Sequence, residues 1–420
     1  MIFADGVICL LKGGAYVGII YRYGIYPFKE ETGSTMNRLL HLFHDNEQGI
    51  LMSVAALVLF GTINIYCASY VASGSGLVLR QVVWVAVGFA CMFVARRLNY
   101  PRIEHFGWIL TIVAAGLCFL VRFTGEEING ARRWIDLGFI QFQPSEIAKI
   151  ASVMLAASYV GQKLRSGKPI ELFSKPMGGI LAMGAVILIQ PDMGTAAIVI
   201  AIGLCLFLIG GLSPKQLQGM AWSVAVSVVL CVMFAPYRLK RVTVWLGLEH
   251  DEQIEYQAEQ AKMVIGSGGV DGVGWGGGLS KYNYLPESHT DFAFAVFCEE
   301  WGFILTVLCI FVPFLFFTHH GFSIAKQTED PYGKMLAAGM TLLVSGQAVS
   351  NIMMVMGSLP VIGVPLPFIS YGGTSLVINM ACVGILLSIH RKNKAYARAK
   401  LKRERAEAGG QQAVTERTDE

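Results

Sequence analysis

Arginine and lysine residues lie between long apolar segments of this chain, in a pattern that could bind phosphate. Arg132 and Arg133 are adjacent in one linker, Arg238 begins the run Arg-Leu-Lys-Arg in another, and Lys262 lies further along the second. Arginine side chains match phosphate oxygens with two parallel hydrogen bonds. Together these cations predict a site for an anionic ligand at one surface of the molecule. The alternative is that each cation meets only lipid headgroups.

Asp291 stands at the start of an apolar segment, directly after the run Leu-Pro-Glu-Ser-His-Thr at 285–290. That run brings Glu287 and His289 close to it in sequence. A carboxylate near cations can act as a general base when its pKa lies close to the working pH. We therefore predict that Asp291 is catalytic and that Glu287 and His289 help to bind its substrate. The alternative is that Thr290 or Asp291 only caps a helix.

Three more acids lie within or between apolar segments, where ionisable groups are costly and often functional. Glu299 and Glu300 follow Asp291 by about two helical turns, which places them roughly 80° and roughly 180° from it around the helix axis. We expect Glu299 to support Asp291 and Glu300 to pair elsewhere. Asp192 follows Gln190 in the run Gln-Pro-Asp-Met-Gly-Thr. Both residues of that turn are expected to support the site, or Asp192 caps the next helix.

Two glycine-rich runs separate apolar segments. The run 266–278 lacks the Gly-Lys-Ser/Thr ending and the preceding strand of a nucleotide loop, so we expect it to fold against the membrane surface or to offer backbone N–H groups to a phosphate. The run 357–374 has three prolines and contains Ser370, a further candidate for substrate binding. Broken backbone at membrane depth is tolerated where it is buried or lines a cavity. We therefore expect 357–374 to wall a cavity together with 236–290.

The composition defines the class of protein that must position these residues. Apolar residues make up 54% of the 420 and charged residues 15%, against about 25% charged in soluble proteins. The apolar residues form continuous runs near the length of a membrane-spanning helix, not the alternating strands of a membrane barrel. This excludes a soluble enzyme, a disordered chain and a secreted disulfide scaffold. The sequence predicts an all-α polytopic membrane protein with ten transmembrane helices.

The ten predicted spans follow from hydropathy read in windows of about twenty residues. They are 50–71, 78–96, 105–122, 146–161, 177–190, 195–212, 217–235, 291–318, 334–357 and 367–389. The stretch 236–290 between the seventh and eighth spans reads as one long non-helical loop. A structureless loop of that length is usually functional.

The charge distribution predicts orientation and domain organisation. One set of loops, counted with the C-terminal tail, carries nineteen Lys and Arg, about twice the number on the opposite side. The positive-inside rule places that set and both termini in the cytoplasm, and the loop 236–290 outside. Residues 391–420 carry the whole net charge of +4 and form a basic cytoplasmic tail, and the balanced remainder excludes nucleic acid as a partner. Residues 1–35 are expected to be an N-terminal extension from a non-native start upstream of Met36, or a weak interfacial segment, before a membrane domain at 36–390.

Four stretches of this sequence resemble the signatures of the SEDS family (shape, elongation, division and sporulation; FtsW, RodA, SpoVE). They lie at 130–149, 190–195, 285–294 and 365–375. The similarity covers about 50–390, with the motifs in order and a matching number of spans. Four long motifs in register make a specific signal. The departures, Asp-Phe-Ala-Phe at 291–294 and Glu-Glu-Trp-Gly at 299–302, remove none of the proposed functional groups.

The resemblance implies a peptidoglycan glycosyltransferase that polymerises lipid II at the outer face of the bacterial inner membrane. The essential aspartate of the family matches Asp291, and the arginine of its Arg-Trp motif matches Arg133, with Arg132 and Trp134 beside it. Asp291 would take the proton of the acceptor C4 hydroxyl, which attacks C1 of the donor with inversion and expels a lipid pyrophosphate. Arginines or a divalent cation, Mg²⁺ or Mn²⁺, would stabilise the leaving group. The metal's identity and ligands stay open, and no organic cofactor is expected.

The resemblance also implies partners and leaves alternatives open. The expected partners are a class B penicillin-binding protein, which is a transpeptidase, and membrane proteins of the divisome or elongasome. A lipid II flippase or a non-catalytic scaffold for that transpeptidase are the competing functions, since ten spans with intramembrane acids also suit a transporter. The run at 238–243 and the basic tail favour an FtsW-like division member, whereas the runs at 134–139 and 361–367 favour a RodA-like elongation member. We favour the FtsW-like interpretation.

Overall fold

The protein is described by a computed structural model and is almost entirely helical. The described residues are 18–21, 24–27, 45–73, 76–128, 131–136, 138, 141–213, 215–220, 222, 236–278 and 280–418. A short hairpin, β1 (Gly18–Tyr21) with β2 (Gly24–Pro27), lies within the predicted N-terminal extension. The rest of residues 1–44 falls outside the described part of the chain.

Twelve helices of at least ten residues follow one another within the described part of the chain. They are α1 (Asn46–Ser73), α2 (Gly76–Arg97), α3 (Gly107–Thr124), α4 (Pro144–Arg165), α5 (Lys175–Ile189), α6 (Met193–Ile209), α7 (Pro236–Trp245), α8 (Glu252–Ser267), α9 (Ala293–Thr306), α10 (Val312–Gln327), α11 (Pro331–Val355) and α12 (Gly373–Thr418). Between α3 and α4, the strands β3 (Glu126–Ile128), β4 (Ala131–Asp136) and β5 (Gln141–Phe142) form an antiparallel sheet in the order β3-β4-β5.

The polytopic helical class predicted from composition is confirmed. Six helical segments in the described chain are long and apolar enough to cross a membrane, and α5 and α6 are shorter apolar helices. The six are Asn46–Ser69, Gly76–Arg97, Tyr100–Thr124, Ala293–Gln327, Pro331–Val355 and Gly373–Lys400. Nine of the predicted spans overlap a described helix, whereas most of the seventh, at 217–235, lies outside the described residues. The count of ten spans stays a prediction.

Helix α4 forms the centre of the membrane domain. It packs against α3, α6 and α11, and its residues from 144 to 157 are almost all buried. Alanines at 148, 151, 156 and 157 are completely buried, and such small side chains let helix backbones approach closely in a membrane. Helix α4 also carries the buried ion pair between Glu146 and Lys149, with 2.7 Å between Oε2 and Nζ. A pair of opposite charges is one way to make ionisable groups tolerable at such depth.

The predicted non-helical loop at 236–290 is wrong, because this segment contains α7, α8 and a π-helical turn at Ser280–Tyr284. A hydropathy window detects helices that are apolar on all sides, and α8 is not. Ala261 and Val264 lie three residues apart on its buried face, while Glu259 and Lys262 are exposed. That spacing is the signature of a helix with only one apolar stripe.

The tenth predicted span also begins later than expected, at Gly373 instead of residue 367. Pro365 and Pro367 keep the preceding segment out of a helix, since proline lacks the backbone N–H. At its other end α12 continues unbroken to Thr418. The predicted boundary between membrane domain and tail at 390/391 therefore lies inside one helix.

The eighth predicted span is longer than expected and is broken at Gly302. It runs from α9 through a π-helical turn, Val307–Phe311, into α10. Gly302 has φ of 71°, and a Cβ atom there would collide with the backbone nitrogen of Gly272. Only glycine adopts this backbone conformation without steric cost.

The glycine-rich run 266–278 fills this break in the helix. Val273 N donates to Glu299 O at 2.9 Å, and Phe303 N donates to Gly269 O at 3.0 Å. The indole of Trp275 packs on that of Trp301, with ring centroids 5.0 Å apart. The run therefore supplies hydrogen bonds that the kinked helix lacks. This agrees with irregular backbone at membrane depth being satisfied by neighbouring protein, and of the expected roles for the run it favours packing over phosphate binding.

Candidate active site

Asp291 lies in a turn just before α9 and does not cap it. The N-cap residue of α9 is Phe292, and no side-chain capping hydrogen bond is formed there. The carboxylate of Asp291 is partly buried and faces the backbone of Gly363, where an added Cβ atom would lie 3.3 Å from Oδ2. The capping alternative for Asp291 is therefore wrong. Its carboxylate is placed between the start of α9 and the segment 356–372.

The surroundings of Asp291 shift its proton affinity strongly. The pKa of this carboxyl is raised from its ordinary value of 3.8 to about 7. Burial is the largest cause, the negative charges of Glu287 and Asp192 act in the same direction, and Arg133 and Arg241 act against them. Desolvation and like charges both disfavour an ionised carboxylate. A carboxyl with a pKa near 7 can accept and release a proton at neutral pH, which is the property required of a general base.

Arg133 is held on β4 and reaches the turn between α5 and α6. Its Nε donates to Gln190 O at 3.3 Å, and a terminal nitrogen donates to Pro191 O. The strand begins shortly after α3, and Gly125 at the end of α3 lies against the carbonyl of Trp134. Arg133 therefore brings a positive charge to the side of the site formed by α5 and α6, within electrostatic range of Asp291.

The neighbours of Arg133 on β4 are placed differently. Arg132 is paired with Glu127 of β3 at 3.3 Å, and both side chains are largely exposed. Trp134 is opposite Glu126 in the sheet register. Successive residues of a strand point to opposite faces, so Arg132 and Arg133 do not converge on one point. Contact of Arg132 or Trp134 with substrate stays a prediction.

Helices α7 and α8 bring their cations to the segment 356–372. A terminal nitrogen of Arg241 donates to Val361 O, and the Lys262 side chain lies against Gly357. Trp245 Nε1 donates to Gly357 O at 3.1 Å. These contacts support the expectation that 236–290 and 357–374 form one wall. The side chain of Arg238 lies outside the described part of the structure, so its role stays a prediction.

Arg241 is the cation from this run that acts electrostatically on Asp291. The prediction included it only as part of the cationic run and singled out Arg238 for substrate binding. Arg241 lowers the pKa of Asp291, as Arg133 does. The sequence carried a signal for it, since Arg241 follows Arg238 by three residues. Residues at that spacing share one face of a helix, and the run 236–245 is helical.

Glu287 and His289 belong to the turn that precedes Asp291 and α9. Glu287 has φ of 54° and accepts a hydrogen bond from Thr290 Oγ1 at 2.5 Å. Burial lowers the pKa of His289, and the charge of Glu287 partly opposes this, so the net effect favours the neutral imidazole. The main chain of His289 accepts from Tyr371 N at 2.8 Å. This contact ties the turn before α9 to the start of α12.

Ser370 is buried, and its hydroxyl oxygen accepts a hydrogen bond from Leu366 N at 2.9 Å. The Ser370 amide in turn donates to Leu366 O at 3.0 Å. These two bonds close a turn within the segment 356–372. In this structure Ser370 stabilises the loop, and a direct contact with substrate stays a prediction.

Asp192 caps α6, as the alternative for this residue proposed. Its Oδ1 accepts from Thr195 N at 3.1 Å, and its Oδ2 accepts from Gln143 Nε2 and Ser145 Oγ, both at 3.3 Å. Asp192 is almost completely buried. Gln190 is buried as well and donates its amide to Cys118 O. The two residues stabilise the turn whose carbonyls bind Arg133, so they help to position the Arg133 side chain.

Glu299 of α9 contacts Ser280. Its Oε2 accepts from Ser280 Oγ at 2.5 Å and from Ser280 N at 3.4 Å, so it anchors the turn 280–284. Glu300 is buried in the same helix. The expectation that Glu299 shares a face with Asp291 assumed a continuous helix from 291, but α9 begins only at Ala293. Support of Asp291 by Glu299 therefore stays a prediction, and the contact that the structure gives for Glu299 is the one with Ser280.

The described residues contain no group of three or more His, Cys, Asp or Glu side chains that could hold a metal ion. The carboxylate nearest to Asp291 in sequence is the exposed Glu287, and Asp192 accepts three hydrogen bonds from the protein. These donors do not form a metal site on their own. No step of the chemistry at Asp291 is therefore assigned to a metal.

The fold and the site define a polytopic membrane protein with a carboxyl of raised pKa and two arginines at one end of its helices. The chain belongs to the FtsW/RodA/SpoVE family. The model of that family, described as "Cell cycle protein", matches residues 48–395. The predicted membership of the SEDS family is confirmed.

Relatives with curated names agree with this assignment. The peptidoglycan glycosyltransferase MrdB of Escherichia coli K12 is 35% identical over 365 residues, which cover 83% of this chain and 95% of the relative. The probable peptidoglycan glycosyltransferase FtsW of Trichlorobacter lovleyi is 35% identical over 350 residues, covering 81% and 92%.

Solved structures show the same fold. A chain from a structure titled "Structural coordination of polymerization and crosslinking by a peptidoglycan synthase complex" matches with a TM-score of 0.71 at 28% identity, covering 82% of this chain and 97% of that one. The rod shape determining protein RodA of Thermus thermophilus matches with a TM-score of 0.62 at 28% identity, covering 82% and 96%.

Proposed function

We propose that this chain is a peptidoglycan glycosyltransferase that polymerises lipid II, with Asp291 as its general base. The relatives named for this activity support the reaction class. The observation that carries the catalytic assignment is the position of Asp291. Its pKa is raised to about 7 between a like charge, Glu287, and two arginines, Arg133 and Arg241.

The reaction is a displacement at a sugar carbon. Asp291 accepts the proton of the C4 hydroxyl on the acceptor GlcNAc as the oxygen attacks C1 of the donor MurNAc. The bond from C1 to the pyrophosphate oxygen breaks, with inversion at C1, and the lipid pyrophosphate leaves with the electron pair. A positioned general base contributes typically 10²–10⁴-fold to such a step.

The leaving group gains negative charge as the bond breaks, and cations aimed at that charge stabilise the transition state. Arg133 and Arg241 are the candidates that lie nearest to Asp291 electrostatically. Both also bind backbone carbonyls, of Pro191 and Val361. Those bonds hold the two guanidinium groups in place, so their positive charges stay on the side of the site where the pyrophosphate would leave. Lys262 and Arg132 are secondary candidates.

The protein is an integral membrane protein, and we propose that the end carrying Asp291 faces outward from the inner membrane, with both termini in the cytoplasm. The excess of Lys and Arg in the opposite loops and in the tail supports this orientation. The lipid tails of donor and acceptor would stay in the bilayer while their sugars react at its rim. Labelling of single cysteines tests this orientation. A cysteine at residue 287 should react in intact cells, and one at residue 394 should react only after permeabilisation.

The structure of a peptidoglycan synthase complex with crosslinking activity supports a penicillin-binding protein as partner. We propose a class B enzyme in that role, together with further membrane proteins of division or elongation. A divalent cation is a separate proposal, since Mg²⁺ in such reactions is commonly held by substrate phosphates with one or two carboxylates. Removal of the cation with EDTA, followed by addition of Mg²⁺ or Mn²⁺ to the assay, tests it.

We propose a division role ahead of an elongation role, on the basic run 238–241 and the basic tail. Relatives named MrdB and FtsW are equally identical to this chain, at 35%. A fluorescent fusion expressed at native level would concentrate at the septum under this proposal. A fusion spread along the side wall would contradict it.

The activity itself is tested with the purified chain and its penicillin-binding partner, given fluorescent lipid II in detergent. Glycan chains on a gel, digestible by a muramidase, are the expected product. The competing flippase function is tested with the same protein in vesicles. Movement of lipid II headgroups across the bilayer without any polymer would contradict the polymerase and favour a transporter.

A further inference from the structure

Helix α11 carries two buried amides on one face of an otherwise apolar membrane-spanning segment. Gln347 and Asn351 are four residues apart, which places them one above the other, and neither has any exposed surface. Uncompensated polar groups at such a place are costly, so these residues must serve hydrogen bonds. Their hydrogen-bond partners show which parts of the chain these two side chains hold together.

Asn351 ties together the two chain segments that face each other across the site. Its Nδ2 donates to the carbonyl of Asp291 at 2.8 Å and to that of Val364 at 2.6 Å. Asp291 belongs to the turn before α9, and Val364 follows Gly363, the residue that faces the Asp291 carboxylate. One amide group therefore sets the separation between the Asp291 backbone and the wall in front of its carboxylate.

Gln347 holds the next carbonyl along the same wall. Its Nε2 donates to Pro365 O at 2.9 Å, and its Oε1 accepts from Lys149 Nζ of α4 at 2.8 Å. The carbonyls of residues 364 and 365 are thus both bound to α11. Asn351 is the member of this pair that also reaches Asp291.

The orientation of the Asn351 amide is fixed by these contacts. A flipped amide would point its oxygen at two carbonyl oxygens, which is repulsive, so the NH₂ group must face Asp291 and Val364. Asn351 Oδ1 has no hydrogen-bond donor within the part of the chain that the structure describes. The Asn351 amide is therefore held by its two hydrogen bonds to the carbonyls of Asp291 and Val364.

We propose that Asn351 is a positioning residue for Asp291, acting through the Asp291 backbone. The inference deepens the proposed function and rests on it, since it concerns the same general base. Asn351 does not touch the reacting atoms. It keeps the carboxylate of Asp291 at a fixed distance from the segment 356–372, and a displacement of about 1 Å at a reacting group can cost on the order of 10²-fold in rate.

The test compares Asn351→Ala with Asn379→Ala in the purified complex polymerising lipid II. Asn379 is a matched control: it is also buried in a membrane-spanning helix, but its amide donates within that helix to Ser375 O at 2.9 Å. For Asn351→Ala we expect kcat to fall on the order of 10²-fold, with KM for lipid II within about twofold of wild type. For Asn379→Ala we expect kcat to stay within about twofold of wild type.

Two further variants keep the proposal testable if Asn351→Ala folds poorly. Asn351→Ser is tolerated in a membrane helix because its hydroxyl can bond to its own helix, yet it is too short to bridge the two carbonyls. It should lose kcat as the alanine variant does. Asn351→Gln retains the NH₂ group and should recover part of the rate. Folding is followed by gel filtration and by binding to the penicillin-binding partner.

A kcat within about twofold of wild type in folded Asn351→Ser or Asn351→Ala would overturn the proposal. So would a loss that appears only in KM or only in the folded fraction, since that is the result of a merely structural asparagine. A wild-type complex that makes no glycan would instead remove the proposed function and this inference with it. If the wild-type complex makes glycan and the Asn351 variants have an unchanged kcat, the positioning role of Asn351 is wrong but the proposed function stands.

Discussion

Gly363 faces the carboxylate of Asp291, and a Cβ atom at that glycine would lie 3.3 Å from Oδ2. Gly363 has φ of 67°, a conformation that side chains with a Cβ rarely adopt. The position thus combines a positive φ with a close approach to the proposed base. Glycine at 363 leaves open the space in front of Asp291.

Replacement of Gly363 by alanine should slow polymerisation. The left-handed conformation costs a residue with a Cβ roughly 1–2 kcal/mol, and the added methyl group crowds Oδ2. The backbone cost lowers the stability of the fold, whereas the crowding of Oδ2 acts on the reaction. From the crowding we expect kcat/KM for lipid II to fall on the order of tenfold, which corresponds to about 1.4 kcal/mol in the activation barrier. Steady-state polymerisation by the purified complex measures it.

Gly346→Ala is the control for this substitution. Gly346 is exposed on helix α11, and a Cβ atom there meets nothing within 4 Å. Alanine favours a helix over glycine by about 1 kcal/mol, so activity should be retained. Equal activity of the Gly363→Ala and Gly346→Ala variants would show that the space before Asp291 is not needed.

Arg133→Ala should lower turnover and also shift its pH dependence. Loss of one charge-stabilising group typically costs on the order of 10²-fold in kcat. Since Arg133 lowers the pKa of Asp291, its removal should move the acidic limb of the rate profile to higher pH. Arg133→Lys should restore the charge but only part of the rate, because an ammonium group lacks the bidentate fork.

Arg122→Ala provides the comparison, since Arg122 is an exposed arginine in the last turn of α3, near β4. Its loss should leave the rate and its pH profile unchanged. If Arg133→Ala keeps full activity, then Arg133 meets only lipid headgroups or the turn at Gln190, and the cationic site must be sought elsewhere.

The pH dependence of the wild-type enzyme should report Asp291. With a folded-state pKa of about 7, the base is protonated and inactive at lower pH, and its ionised form accumulates as pH rises through 7. Polymerisation should therefore increase across about pH 6–8 and level off above, as expected for a single general base. A profile whose acidic limb lies near pH 4, the ordinary range of an aspartate, would contradict the burial of this carboxyl.

Glu287→Gln sharpens that test. Glu287 raises the pKa of Asp291, so removal of its charge should move the acidic limb to lower pH. Glu329→Gln serves as the control, because Glu329 follows α10 at the opposite end of that membrane-spanning segment. A limb that both variants leave in place would mean that another group titrates in the wild-type profile.

Much of this fold could be predicted from the sequence, because hydropathy reports helices that are apolar on all sides. Helices α1 to α6 and α11 begin and end within a few residues of the predicted spans. Helix α8 escaped the prediction because only one stripe of it is apolar. The kink at Gly302 depends on backbone pairing with the glycine-rich run 266–278, and hydropathy carries no information about such pairing.

The site was predicted in part, because the sequence shows charges beside apolar segments but not the contacts that they make. Asp291, Arg133 and Glu287 stand out as charges beside apolar segments, and the structure brings Arg133 and Glu287 into electrostatic range of Asp291. Asn351 was missed, and Arg241 was recognised only as part of its cationic run, because their importance lies in which carbonyl they bind, Asp291 O and Val361 O. A buried asparagine in a membrane-spanning helix was nonetheless a readable signal.

The most direct test of this account is lipid II polymerisation by the Asp291→Asn enzyme in its purified complex. Asparagine keeps the shape and removes the basicity, and the residue makes no capping bond to α9, so folding and partner binding should survive. The rate should fall roughly 10²–10⁴-fold, the contribution of a general base. Asp192→Asn, which weakens the cap of α6, and Glu300→Gln should retain more activity. Polymerisation near the wild-type rate by Asp291→Asn, with Asp192→Asn inactive, would contradict the assignment and move the catalytic centre to the turn between α5 and α6.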